Sequence, residues 1–124
     1  MNNAVMAVAL LLLSAVASGQ EKDAPREKDG PHVWTSGTDL VAQCGNVQDQ
    51  FSTGACMGYV VAAAEIADSG RLKGYHSCIP KNVSKGQLQD VVNKYLAKHK
   101  DQLDYIGYQI VVVALVEAYP CKDQ

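Results

Sequence analysis

The chain has no G-x-G-x-x-G or Walker pattern, so nothing in it builds a glycine-rich phosphate cradle. It has no Cys-x-x-Cys, and its nearest mixed pair of metal-ligand types is His76 with Cys78, so the spacing of a zinc site is missing. Basic residues are not in excess, 11 against 13 acidic ones, and they are not clustered with aromatics, so nothing points to nucleic acid. Charge is also missing from the start of the chain, where no charged side chain precedes Glu21.

The uncharged opening contains an apolar run from Ala4 to Ala17. A bilayer span needs about 20 apolar residues, so this run is too short, but it suits the core of an export signal followed by small residues. Ala15-Val16-Ala17 offers cleavage before Ser18, and Ala17-Ser18-Gly19 offers cleavage before Gln20. The segment has no Lys or Arg, which leaves the terminal amine to supply its positive charge. No cysteine follows directly, so a lipid anchor is not expected. The expected organisation is a signal peptide over 1–19, a disordered leader over 20–33 and a helical domain over 34–124. No membrane association is expected once the signal is removed. The remaining chain suffices for one domain with a modest core and keeps the formal charge of −2.

Residues 20–32, QEKDAPREKDGPH, carry two prolines and only one apolar side chain, Ala24. Such a segment cannot bury enough surface to offset its ordering entropy. The fold therefore starts near Val33 or Trp34, with Trp34 expected on the domain edge. Ser36 and Thr38 both offer an N-cap for a first short helix with Leu40, Val41 and Cys44 on its apolar face, stopped by Gly45-Asn46. A polar link over 48–53 then precedes a second helix over about 54–68. Gly54, Gly58 and Ala62 give that helix a nearly bare stripe for close approach by another helix, beside the apolar Met57, Val60, Val61 and Ala64. After a loop over 70–82, Ser84 and Gln87 form an S-x-x-Q capping box for a third helix, with Leu88, Val91, Val92, Tyr95 and Leu96 at helical spacing. Beyond a polar hinge, KHKDQ, a fourth helix is expected over about 102–118. Its three consecutive valines favour a strand, but Leu103, Ile106, Ile110, Val113 and Ala114 keep the helical period. A helix apolar nearly all round needs two partners, one of which the sequence leaves open to a second subunit. The tyrosines between Tyr95 and Tyr119 read as core.

Four cysteines, Cys44, Cys56, Cys78 and Cys121, in a small exported domain read as a disulfide framework. An up-and-down path of four helices brings Cys44 to Cys56 at one pole and Cys78 to Cys121 at the other. Chain-entropy arithmetic gives the two bonds roughly 3 and roughly 4 kcal/mol. Sequence leaves open the pairing of Cys44 with Cys78 and Cys56 with Cys121. The fold class is all-α, a small disulfide-stapled bundle of about four helices.

No catalytic constellation emerges. His32 belongs to the leader, His76 to the loop and His99 to the hinge, and none has a convincing serine or carboxylate partner by helical spacing. Asp101 and Asp104 imitate a carboxylate pair, but acids at a helix start are explained by its dipole. With every cysteine bonded no thiolate nucleophile remains. We expect no enzyme activity, no cofactor and no metal.

The string formed by Cys44, CMGY at 56–59, CIP at 78–80, VSKGQ at 83–87, then Val91, Val92, Tyr95, Leu96 and His99, and ALVEAYPC at 114–121 resembles the Tai/Rap family of periplasmic immunity proteins. These protect bacteria against peptidoglycan amidases delivered by type VI secretion. The resemblance covers about 40–121 and departs from the family at Lys100, where a proline usually follows the histidine. It implies a periplasmic, often homodimeric, helical protein that inserts a protruding segment into the amidase cleft. The expected partner-binding residues are Arg71, Lys73, Tyr75 and His76 of the long loop, then His99 and Asp101 of the hinge, with Tyr59 a packing residue. A periplasmic chaperone or assembly factor of the acid-stress type is the alternative.

Overall fold

In the structure, a computed structural model, residues 32–122 are described. The expected signal peptide and the leader as far as Pro31 lie outside the described residues. The elements are α1 (Gly37–Gly45), α2 (Gln50–Asp68), α3 (Lys85–Lys98), a short 3-10 turn (Lys100–Gln102) and α4 (Gly107–Ala118). Among the described residues there is no strand, only two isolated antiparallel bridges, Ser36 with Ile106 and Ser77 with Pro120. The fold is the expected all-α bundle of four helices.

Local chemistry sets where the helices start. Ser36, rather than Thr38, caps α1. Its hydroxyl accepts from the Asp39 amide at 3.2 Å while the Asp39 carboxylate accepts from the Ser36 amide at 2.8 Å. Those bonds, the backbone one foremost, hold the Asp39 carboxyl below its ordinary value. The Thr38 amide instead donates to the Leu103 carbonyl at 3.0 Å. The S-x-x-Q box forms as read, with the Ser84 amide donating to Gln87 at 2.7 Å and the Gln87 amide to Ser84 at 3.2 Å. Two boundaries differ from expectation. α2 begins at Gln50, not near Gly54, because the Asp49 carboxylate accepts from the Ser52 amide at 2.8 Å and so caps what reads as a polar link. α4 begins at Gly107, not near Gln102, because the preceding backbone is engaged with α1. The Gly37 amide donates to Tyr105 at 3.1 Å and the Gly107 amide to Thr35 at 2.7 Å. Asp101 thus belongs to the 3-10 turn, and Asp104 precedes α4 instead of opening it.

α4 packs against α2 and α3, and α1 lies mainly on α2. The core contains Leu40 of α1, Val60, Ala64 and Ala67 of α2, Leu88, Val92 and Leu96 of α3, and Ile110, Val111 and Leu115 of α4. Each such Val, Leu or Ile contributes about 1.5–3 kcal/mol by leaving water, which outweighs the small helix penalty of β-branched residues. Val112 is buried too and Val116 is half-buried, so the bundle itself covers α4. The fourth helix therefore does not call for a second subunit. Besides Val33 and Trp34 ahead of α1 and the tyrosines Tyr75, Tyr105 and Tyr108, the exposed large apolar residues are Val41, Val47, Phe51 and Ile66, on and between α1 and α2. Trp34 does not pack on the domain edge. It is 87 % exposed, with its ring against that of His32 at 4.1 Å.

The bare stripe of α2 also differs from expectation. Gly54, Gly58 and Ala62 are exposed, and a methyl group at either glycine would meet nothing within 4 Å. Close approach occurs where α1 meets α4. A methyl group at Gly37 would lie 2.8 Å from the Leu103 Cα, and one at Gly107 would lie 2.9 Å from the Thr35 carbonyl oxygen.

The disulfides are Cys44–Cys56 and Cys78–Cys121, with Cα separations of 5.1 and 5.0 Å. That is the expected pairing, one bond at each pole, although the Gln89 side chain of α3 donates to the Cys44 carbonyl at 3.4 Å, which brings the first turns of α3 beside the first bond.

Candidate functional site

The long connection between α2 and α3 begins with a sharp reversal. Gly70 and Gly74 both take positive φ, 68° and 81°, which lets residues 71–75 turn compactly. The Tyr75 amide donates to the Leu72 carbonyl at 2.9 Å and closes that turn. Leu72 is half-buried and anchors it, leaving Arg71, Lys73 and Tyr75 in solvent.

On the other side, the end of α3 folds back on itself. The His99 ring stacks on the Tyr95 ring with centroids 3.9 Å apart, and its Nδ1 lies 2.9 Å from the Tyr95 carbonyl. The Tyr95 hydroxyl donates to Gln102 at 3.0 Å. Burial pushes the Tyr95 phenol above its ordinary value, and the charges of Glu117 and Asp101 push it further.

Between these two parts lies an open groove of about 570 Å³. Leu72, Lys73 and Tyr75 line one wall, and Tyr95, Gln102 and Tyr105 line another. Tyr108 and Gln109 of α4 stand at its edge, over a floor that includes Val112 and Val113. Tyr75 and Tyr105 are 50 % and 58 % exposed, so the groove presents aromatic rings that are not used up in the core. An apolar floor with a few amides and one ammonium suits contact with another molecule.

Of the six partner-binding candidates, only Lys73 and Tyr75 line this groove, and the hinge reaches it through Gln102 instead of through His99 or Asp101. Arg71 and Asp101 are exposed but do not line the groove, and His99, half-buried, stacks on Tyr95 behind it. His76 lies away from it, with a ring nitrogen near the Cys78–Cys121 sulfurs. The sequence reading missed Tyr105 and Tyr108, having placed the tyrosines of this region in the core. Tyr108 and Gln109 are out of phase with the buried Ile110, Val111 and Ala114, and that phase was the available signal. Tyr59 packs as expected. It is half-buried, with its hydroxyl bonded to Thr35 and to the Tyr108 backbone, and burial raises its phenol.

A family model of Rap1a immunity proteins matches residues 36–121, which span α1 to the last cysteine and include every element described above. No curated protein and no solved structure matches the chain. No helix among the described residues is long and apolar enough to cross a membrane. The family match covers both disulfides, the loop and the hinge, and the chain belongs to the Rap1a immunity protein family.

Proposed function

We propose that this protein is exported to the periplasm, where it binds a peptidoglycan amidase delivered by type VI secretion and blocks its cleft by occupying it. The observation that carries this reading is the groove in which the Lys73–Tyr75 turn and the 102–105 hinge meet. The turn is a compact projection held by two positive-φ glycines, with an exposed arginine, lysine and tyrosine. That set suits insertion into an acidic, partly apolar cleft, because tyrosine and arginine supply much of the energy at protein interfaces. The protein needs no catalytic group, cofactor or metal for this task.

The same reading includes a homodimer. Its support is the face of α2 with Phe51, Gly54, Gly58, Ala62 and Ile66, uncovered in the single chain and small enough at its centre for a second copy to approach. Sedimentation of the purified domain, with Gly58→Leu as the blocked variant, tests that pairing.

The main experiment mixes the disulfide-bonded protein with the amidase encoded beside it and follows binding by calorimetry and muropeptide release. Stoichiometric binding with loss of turnover supports the proposal. No binding to that enzyme overturns it, and partial unfolding with capture of many proteins at low pH would support the chaperone reading instead.

A further inference from the structure

We infer that Cys78 and Cys121, when reduced, form with His76 a site for a thiophilic divalent cation of the zinc type, which the disulfide keeps closed. The two disulfides differ in access. Cys44 and Cys56 are 1 % and 0 % exposed, whereas Cys78 is exposed and Cys121 half-buried. Thiol–disulfide exchange requires an attacking thiolate to reach a sulfur, so a small dithiol reduces the second bond and spares the first. In that exchange the dithiol gives up two electrons and becomes a disulfide, and Cys78 and Cys121 take up its two protons as thiols.

The two sulfurs stay together after reduction, because other contacts hold their backbones. The Cys78 amide donates to the Tyr119 carbonyl at 2.8 Å, Ser77 pairs with Pro120, and the Ser77 amide donates to Ala67 at 3.2 Å. The third ligand is already placed. A His76 ring nitrogen and both sulfurs lie within 4.8 Å of one another. The ring rests against Gly70, where a methyl group would come 3.4 Å from it. Tetrahedral zinc with bonds of about 2.3 Å to sulfur holds two thiolates about 3.8 Å apart, a separation that side-chain rotation of the two cysteines supplies. Binding releases the two thiol protons.

The test uses the full mature chain, treated with a small dithiol, freed of it by gel filtration, and titrated with cobalt(II) as the probe under anaerobic conditions. In a portion trapped with iodoacetamide, Cys78 and Cys121 alone should be alkylated; the untrapped portion should bind one cobalt per chain with thiolate charge-transfer and tetrahedral ligand-field bands, release it to zinc, and keep its helical circular dichroism. His76→Ala, which leaves both disulfides intact before reduction, should weaken cobalt binding at least about tenfold, since loss of even an outer-shell partner costs about 10–100-fold. Alkylation of Cys44 or Cys56, loss of helicity on reduction, absence of the thiolate bands, or equal affinity in His76→Ala would each overturn the inference.

Discussion

The Gly107 amide donates to the Thr35 carbonyl at 2.7 Å, which fastens the start of α4 to the residue before the cap of α1. A methyl group at Gly107 would sit 2.9 Å from that carbonyl oxygen, 3.1 Å from the Leu40 Cδ1 and 3.2 Å from the Tyr59 hydroxyl. Gly107→Ala should therefore destabilise the domain by about 1–3 kcal/mol, the usual cost of overpacking. Gly58→Ala, in open space inside α2 of the single chain, should stabilise the monomer by about 0.5–1 kcal/mol through helix propensity. Chemical denaturation of the two variants provides the comparison, and equal effects would show that the junction yields easily.

The disulfides should contribute unequally. Replacing Cys78 and Cys121 by serine removes a closed loop with a sequence separation of 43, worth about 4 kcal/mol in the unfolded chain. Replacing Cys44 and Cys56 opens a separation of only 12, worth about 3 kcal/mol, but both sulfurs are buried, so serine adds unpaired hydroxyls to the core. The first-bond variant should consequently be at least as unstable as the second-bond variant, despite its shorter loop. A denaturant midpoint clearly higher for the first-bond variant would contradict this.

Most of the helical plan was legible because its signals are local. The period of Leu88, Val92, Tyr95 and Leu96, the Ser84–Gln87 box and the choice of helix over strand for the three valines of α4 read correctly. The errors arose where distant backbone decides. The start of α4 depends on Gly37, Thr38 and Thr35 holding residues 103–107, which no window of sequence contains. The glycines of α2 announce a bare surface but not which way it faces. The groove was half-legible. The Lys73–Tyr75 turn stood out by composition, and the phase of Tyr108 against Ile110 and Ala114 marked it as surface, whereas Tyr105 lies in backbone that α1 holds outside the helix.

Stability should bend at both ends of the pH scale. The folded state holds the Tyr95 proton more tightly than the unfolded state does, chiefly through burial. That contribution is fully present below the ordinary tyrosine value of 10.0 and is lost as pH rises through the higher folded value. Tyr59 adds to the same alkaline limb. Asp39 and Asp49 act oppositely. Their carboxyls are held low, by bonds to Ser36 and to Ser52, so their contribution is present above the ordinary value of 3.8 and lost as pH falls below it. Melting temperatures of Tyr95→Phe should decline less between about pH 9 and 11 than those of the parent, even though the variant gives up the bond to Gln102, worth about 0.5–1.5 kcal/mol. Parallel curves for the two proteins in that range would rule out Tyr95 as a source of the alkaline loss.

The groove makes the last prediction separable from folding, because its rim residues carry little of the core. Tyr75 is half exposed and Lys73 is exposed, so Tyr75→Ala and Lys73→Glu should leave the melting temperature nearly unchanged, surface substitutions usually staying within about 0.5 kcal/mol. Against the cognate effector, Tyr75→Ala should weaken binding by about 2 kcal/mol or more if the ring enters a desolvated pocket, close to 30-fold in affinity. Lys73→Glu should act mainly on the association rate and lose its effect at high salt, since it reverses a rim charge that steers encounter. Phe51→Ala, on the α2 face away from the groove, is the control. It is 83 % exposed, so its removal should lower dimer content without changing the association rate with the effector. If Phe51→Ala abolishes effector binding while Tyr75→Ala and Lys73→Glu do not alter it, the effector docks on α2, and the loop-and-hinge groove is not the inhibitory surface.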